Sequence, residues 1–117
     1  LTSLDQGDLN DMGFTCDVQA LVISRAKRAL SSGCDGIVAS GLELEHIRNE
    51  VDQKLVIVTP GIRPVLNRPT DDQKRVVTVE QAFQWGADHI VVGRPIKNAT
   101  NPREAAELIQ ETIAKSV

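Results

Sequence analysis

Three short apolar runs, at residues 35–40, 55–59 and 88–92, punctuate the chain, and each is followed by glycine, proline or a small polar residue. They are rich in Val and Ile and do not alternate with polar residues, the pattern of parallel strands covered on both faces. The segments between them repeat every three to four residues. Asp17 suits the N-cap of a helix whose apolar face is Val18, Leu21, Val22, Ala26, Ala29 and Leu30, with Gly33 at its left-handed stop. Leu44, Ile47 and Val51 mark a helix over about 42–51. Thr78 and Gln81 have capping-box spacing and open a helix that closes at Gly86. Asn101, Pro102 and Glu104 fit the N-cap, first and third positions of a last helix, whose face is Ala105, Leu108, Ile109 and Ile113. Near the start, residues 8–13 form a short helical turn ended by Gly13, and Leu1, Thr2 and Ser3 read as the end of a further strand.

The order helix, strand, helix, strand, loop, helix, strand, helix is repeated βα architecture, with parallel strands and right-handed crossovers. Two parents compete, an open doubly wound sheet and a closed barrel. Polar or glycine residues follow every strand, at Thr2–Ser3, Ser40, Thr59 to Arg63 and Gly93–Arg94. Barrel enzymes build their sites in that way, whereas an open sheet concentrates its site at one switch point. A barrel takes about 250 residues, and this chain has 117. The expectation is therefore an α/β fold, the C-terminal half of a (β/α)8 TIM barrel, with residues 1–117 as part of one barrel domain comprising about strands 6–8 and the end of strand 5.

One connection stands apart. From 61 to 75, directly after Pro60, there is no apolar period, Pro64 and Pro69 punctuate the segment, and Arg63, Asn67, Arg68, Asp71, Asp72, Gln73, Lys74 and Arg75 crowd together. Loops of this length in compact domains are functional or disordered. Gly93–Arg94 has a sharper reading: glycine lets a ligand approach the backbone, and an adjacent guanidinium forks onto phosphate oxygens. An isolated Gly-Arg would be a strand end and a solvated charge; the strand context and the Pro60-Gly61-Ile62-Arg63 turn one βα unit earlier favour phosphate.

Composition narrows the classes. The chain is 41% hydrophobic and 25% charged with net charge −3, so it offers no basic stripe for nucleic acid, and no apolar run approaches the length of a membrane span. Cys16 and Cys34 are too few for a zinc site or a disulfide framework, and read as reduced packing thiols of a cytoplasmic protein. His46 and His89 have no nucleophile or paired acid near them in sequence and read as structural.

Residues 1–3, 35–40, 58–64, 72–75 and 90–96 resemble, in order and spacing, the C-terminal half of bacterial orotidine 5′-phosphate decarboxylase. Thr-Pro-Gly-Ile-Arg-Pro at 59–64 is the specific part, since Val-Gly-Arg also occurs in related phosphate-binding barrels. The resemblance implies decarboxylation of orotidine monophosphate to uridine monophosphate without metal or cofactor, in a homodimer. It implies Thr2 with Ser3 at the pyrimidine edge, Pro60 and Arg63 at the base of a substrate-gripping lid over about 61–75, Gln73 bridging pyrimidine and phosphate, and Gly93 with Arg94 on the phosphate. The lid departs from the family pattern, being slightly longer and without glycine at 65–70. The catalytic Asp-x-Lys-x-x-Asp pattern of the family is absent here, so no catalytic residue is expected in this chain and the missing N-terminal half would have to supply it. Alternatives are a related ribulose-phosphate-binding barrel decarboxylase or synthase, and a non-catalytic phosphate-binding half-barrel.

Overall fold

The computed structural model describes residues 1–64 and 74–117; Gln73 and most of the expected lid lie outside them. Three parallel strands, β1 (Gly36–Val38), β2 (Val56–Thr59) and β3 (His89–Ile90), form one sheet in the order β1-β2-β3. Among the described residues the sheet does not close into a barrel. Helices α1 (Gln6–Asp11) and α2 (Val18–Ser31) precede β1. A 3-10 turn (Gly41–Glu43) and α3 (Leu44–Glu50) connect it to β2. Helix α4 (Val79–Gln84) leads into β3, and α5 (Arg94–Lys97) and α6 (Pro102–Ser116) follow.

Local chemistry sets the helix boundaries. The Asp17 carboxylate accepts from Ala20 N at 2.6 Å, and Gly33 takes the left-handed φ of 86° that ends α2. Thr78 and Gln81 form the reciprocal capping box at α4, Asn101 accepts from Glu104 N, and Pro102 opens α6. The capping box of α1, between Asp5 and Asp8, was not anticipated.

The helices cover one face of the sheet. Ile57 and Thr59 are fully buried, and Leu44, Ile47, Val79 and Ala82 belong to the same core. On the opposite face Val38, Val56 and Val91 are 58%, 40% and 52% exposed. The expectation that both faces would be covered therefore fails for the described residues. Two helical faces also differ from expectation. Ile23, which is not on the expected face, is buried in α2 together with the expected Ala26, while Leu30 is 38% exposed; in α6 Leu108 is 57% exposed while Ile109 is buried. In each case the helix is rotated so that Ile23 and Ala26, or Ile109, point inward, as α2 packs on β1 and α3 and α6 on α4. Cys34 is exposed, so its expected packing role is not observed. Residues 1–5 form no strand; Thr2 is tied in through its carbonyl.

The amino ends of β2 and β3 are fastened by one side chain. Arg48 of α3 donates to Gly86 O through Nε (2.9 Å) and Nη2 (2.6 Å), to Gln53 O and Leu55 O through Nη1, and to Asp88 Oδ2 at 2.7 Å. The same carboxylate oxygen accepts from Ile57 N at 2.8 Å. The guanidinium thus joins the entries of β2 and β3 with a planar fork that lysine cannot reproduce. Gly86, at φ 111°, leaves room for it: a Cβ there would lie 2.8 Å from Arg48 Cγ. Arg48→Ala should lower unfolding free energy by about 2–4 kcal/mol, since it orphans several carbonyls, and Arg48→Lys should recover only a minor part. Denaturant unfolding checks both.

Candidate functional site

Because the strands are parallel, their carboxyl ends leave the sheet on one side. After β1, Ala39 and Ser40 are buried, and the Ser40 hydroxyl accepts from Leu42 N to start the 3-10 turn. After β2 the chain passes Pro60 and Gly61, and Ile62 pairs in parallel with Val77. Arg63 N donates to Val77 O at 3.0 Å and Val77 N to Gly61 O at 3.3 Å. Residues 74–77 therefore run back beside 61–63. The Thr2 carbonyl accepts from both Lys74 N (2.8 Å) and Arg75 N (2.9 Å), and Ser40 Oγ donates to Arg75 O at 3.5 Å. Gly61 is required here: its φ is 72°, and a Cβ would lie 2.9 Å from Thr2 Cγ2 and 3.1 Å from Arg75 O.

Beneath this junction lies a buried ion pair. Arg75 of the returning segment meets Glu43 of the 3-10 turn through Nη2 and Oε1, at 8% and 2% residue exposure. Burial pushes the Arg75 guanidinium below its usual pKa. Glu43 Oε2 and Thr59 Oγ1 are buried without a hydrogen-bond partner among the described residues. Sequence reasoning missed Glu43 and Arg75 as partners. Glu43 sits in what reads as a solvated helical turn and Arg75 in a charge run, and nothing local signals that they meet.

The expected site residues are placed as follows. Thr2 is 7% exposed and enters the junction by its backbone carbonyl; Ser3 is exposed. Pro60 is half-buried, and Arg63 is 8% exposed with Nη1 donating to Ile62 O at 2.7 Å. Gly93 and Arg94 are exposed beyond β3, on the sheet side to which Thr2, Gly61 and Arg63 also belong. β3 ends before Gly93, and residues 94–97 then form the short helix α5, with proline in its first turn, where a missing N–H does no harm. A Cβ on Gly93 would meet nothing within 4 Å, so no packing contact demands glycine at that position. Gln73 lies outside the described residues. His46 faces Glu50 one turn along α3 at 3.4 Å, and His89 opens β3. Among the described residues no cluster of His, Cys, Asp or Glu could hold a metal ion, and no helix is long and apolar enough to cross a membrane.

The outer end of the junction is electrostatic. Lys74 Nζ, exposed, lies 3.3 Å from Asp5 Oδ2 and 3.1 Å from Asp8 Oδ2, tying the returning segment to the start of α1. These carboxylates raise the Lys74 pKa. Asp5 is held below the usual carboxylate range, chiefly by the backbone N–H of Asp8 and then by Lys74.

Comparison with known proteins gives one consistent result. Residues 1–109 match the model of the family described as "Orotidine 5'-phosphate decarboxylase / HUMPS family". The chain is 68% identical over 113 residues to the orotidine 5′-phosphate decarboxylase of Methylococcus capsulatus, covering 97% of this chain and 47% of that protein. It is 49% identical to the one from Nitrobacter winogradskyi, covering 100% and 48%. Among solved structures, orotidine 5′-phosphate decarboxylase from Lactobacillus acidophilus superposes with a TM-score of 0.77 at 35% identity, over 97% of this chain and 46% of that one. An uncharacterized conserved protein from Geobacillus kaustophilus superposes with a TM-score of 0.72 at 26% identity, over 97% and 45%. The chain thus spans about half the length of the relatives it matches.

The Asp5 geometry fixes the sign of a pH effect. A carboxyl whose pKa falls on folding stabilises the fold above its ordinary pKa, and that contribution is lost as pH drops through the lowered value. Asp5→Asn keeps the capping oxygen but not the charge. It should be less stable than the parent at pH 7, with the gap closing as pH falls below about 4 and narrowing in high salt. Unfolding midpoints at several pH values and two ionic strengths test this.

Proposed function

The chain belongs to the orotidine 5′-phosphate decarboxylase / HUMPS family, and from that premise we propose that it is the C-terminal half of an orotidine 5′-phosphate decarboxylase barrel, about strands 6–8 with the end of strand 5. The complete enzyme converts orotidine monophosphate to uridine monophosphate and CO2 in pyrimidine biosynthesis, in the cytoplasm and as a homodimer. This half supplies grip rather than bond breaking. Thr2 with Ser3 addresses the pyrimidine edge, Pro60 and Arg63 form the base of the lid, Gln73 reaches across it, and Gly93 with Arg94 receives the phosphate. The other half supplies the lysine and aspartates that stabilise and protonate the carbanion left by CO2, so this half alone is inactive.

The observation that carries the reading is the common side of the sheet. Gly61 to Arg63 and Gly93–Arg94 follow the carboxyl ends of the parallel strands β2 and β3, and Thr2 is tied to the same side through its carbonyl, where barrel enzymes place their sites. The bare valine face of Val38, Val56 and Val91 supports the half-barrel assignment, because in a closed barrel that face is interior. Grip on a phosphate remote from the reacting carbon contributes to rate when its binding energy orients and desolvates the reacting group.

The test uses this chain completed by the N-terminal half of the Methylococcus capsulatus relative. The completed protein should decarboxylate orotidine monophosphate; turnover of a sugar phosphate instead would assign it to a related synthase. In it, Arg94→Ala should cost about 2–3 kcal/mol of transition-state stabilisation, or about 30- to 150-fold in kcat/KM. An unchanged kcat/KM would remove Arg94 from the phosphate site.

A further inference from the structure

Building on that proposed grip, we propose that Glu43 and Arg75 are positioning residues for the nucleotide site: their buried ion pair sets the placement of Thr2, Gly61 and Arg63 without touching the substrate. A buried ion pair is a poor way to gain stability, since desolvating both charges can exceed their attraction, and apolar residues of similar volume often serve as well. What such a pair does provide is a directed link between two backbones. Glu43 lies in the turn after β1, and Arg75 in the segment returning toward β2. Arg75 N donates to Thr2 O, Arg75 O accepts from Ser40 Oγ, and two residues on, Val77 pairs with Gly61 and Arg63. The guanidinium and this backbone therefore move together.

The clearances around the pair are small on both sides. A Cβ at Gly41 would lie 2.3 Å from Val77 Cγ2, and one at Gly61 would lie 2.9 Å from Thr2 Cγ2. Packing this close transmits a displacement of a few tenths of an ångström instead of absorbing it. Arg75 Nη2 meets Glu43 Oε1, so the two buried side chains constrain each other's placement. Shortening or neutralising Glu43 should therefore shift Arg75, and with it the Thr2 carbonyl and the turn at Gly61.

The experiment uses the completed barrel described above and three readouts: Kd for uridine monophosphate by calorimetry, kcat/KM for orotidine monophosphate, and Tm. Glu43→Asp keeps the charge but shortens the reach. It should weaken nucleotide binding and lower kcat/KM by about tenfold or more, a factor equal to about 1.4 kcal/mol. Glu43→Gln leaves Arg75 buried without its counter-charge and should lower Tm. Adding Arg75→Met should restore Tm but not affinity, which separates positioning from bulk stability. Glu43→Asp binding the nucleotide within twofold of the parent would overturn the proposal, as would a double variant that regains affinity together with Tm. Should Glu43→Gln fail to fold, the Glu43→Asp result decides alone. A parent that neither binds uridine monophosphate nor decarboxylates orotidine monophosphate would refute the functional reading, and this inference with it. An active parent indifferent to Glu43→Asp would refute only the inference.

Discussion

Strands that run parallel must be joined by crossovers, and this constraint gives the sheet two unlike ends. All three strands enter from one side and leave from the other. At the entry side Arg48 spreads one guanidinium over Gly86, Gln53, Leu55 and Asp88, and Asp88 in turn accepts from Ile57 N. That end is tied together by one side chain. At the exit side the chain gathers a buried ion pair, two buried oxygens without partners among the described residues, a left-handed glycine and two exposed positions, Gly93 and Arg94. In barrels generally the amino end serves stability and the carboxyl end carries the loops that build sites.

The second consequence concerns the two faces. In β2 the residues facing the helices, Ile57 and Thr59, are fully buried, while Val56 on the other face is 40% exposed. The sequence nevertheless places β-branched residues on both faces. A strand that kept its second face in water would alternate polar with apolar positions. The composition of β2 thus suits a setting in which both faces are dry.

What could be read from the sequence was what is decided locally. Asp17, Thr78 with Gln81, and Asn101 with Pro102 and Glu104 each carry their capping partners within three residues, and the helices begin where those residues put them. The fold class followed from the same kind of signal, the alternation of apolar runs with helical periods. Rotation of a helix about its axis is not local. Leu108 and Ile109 are adjacent and both suit an apolar stripe, and contact with α4 decides that Ile109 turns inward. The short helix at Arg94 has only four residues, too few for a helical period to show, and its Pro95 is acceptable in a first turn. The Glu43–Arg75 pair was beyond reach for a stronger reason. Its members belong to different βα units, and each looks solvated among its own neighbours.

Thr2 shows how far a motif can carry an assignment. The resemblance attaches a role to its side chain, whereas the contacts that secure it run through its carbonyl to Lys74 N and Arg75 N. Those contacts are indifferent to residue type, so they cannot be why threonine stands there. What they fix is the position of the backbone, and with it the place from which a side chain acts. A binding residue then needs two separable things, an identity suited to the ligand and a mount that sets its position. At this rim the Thr2 carbonyl is held by the backbone of Lys74 and Arg75, and the Arg75 side chain in turn meets Glu43. Motif matching captures the identity, while the mount becomes visible only when the segments are seen together.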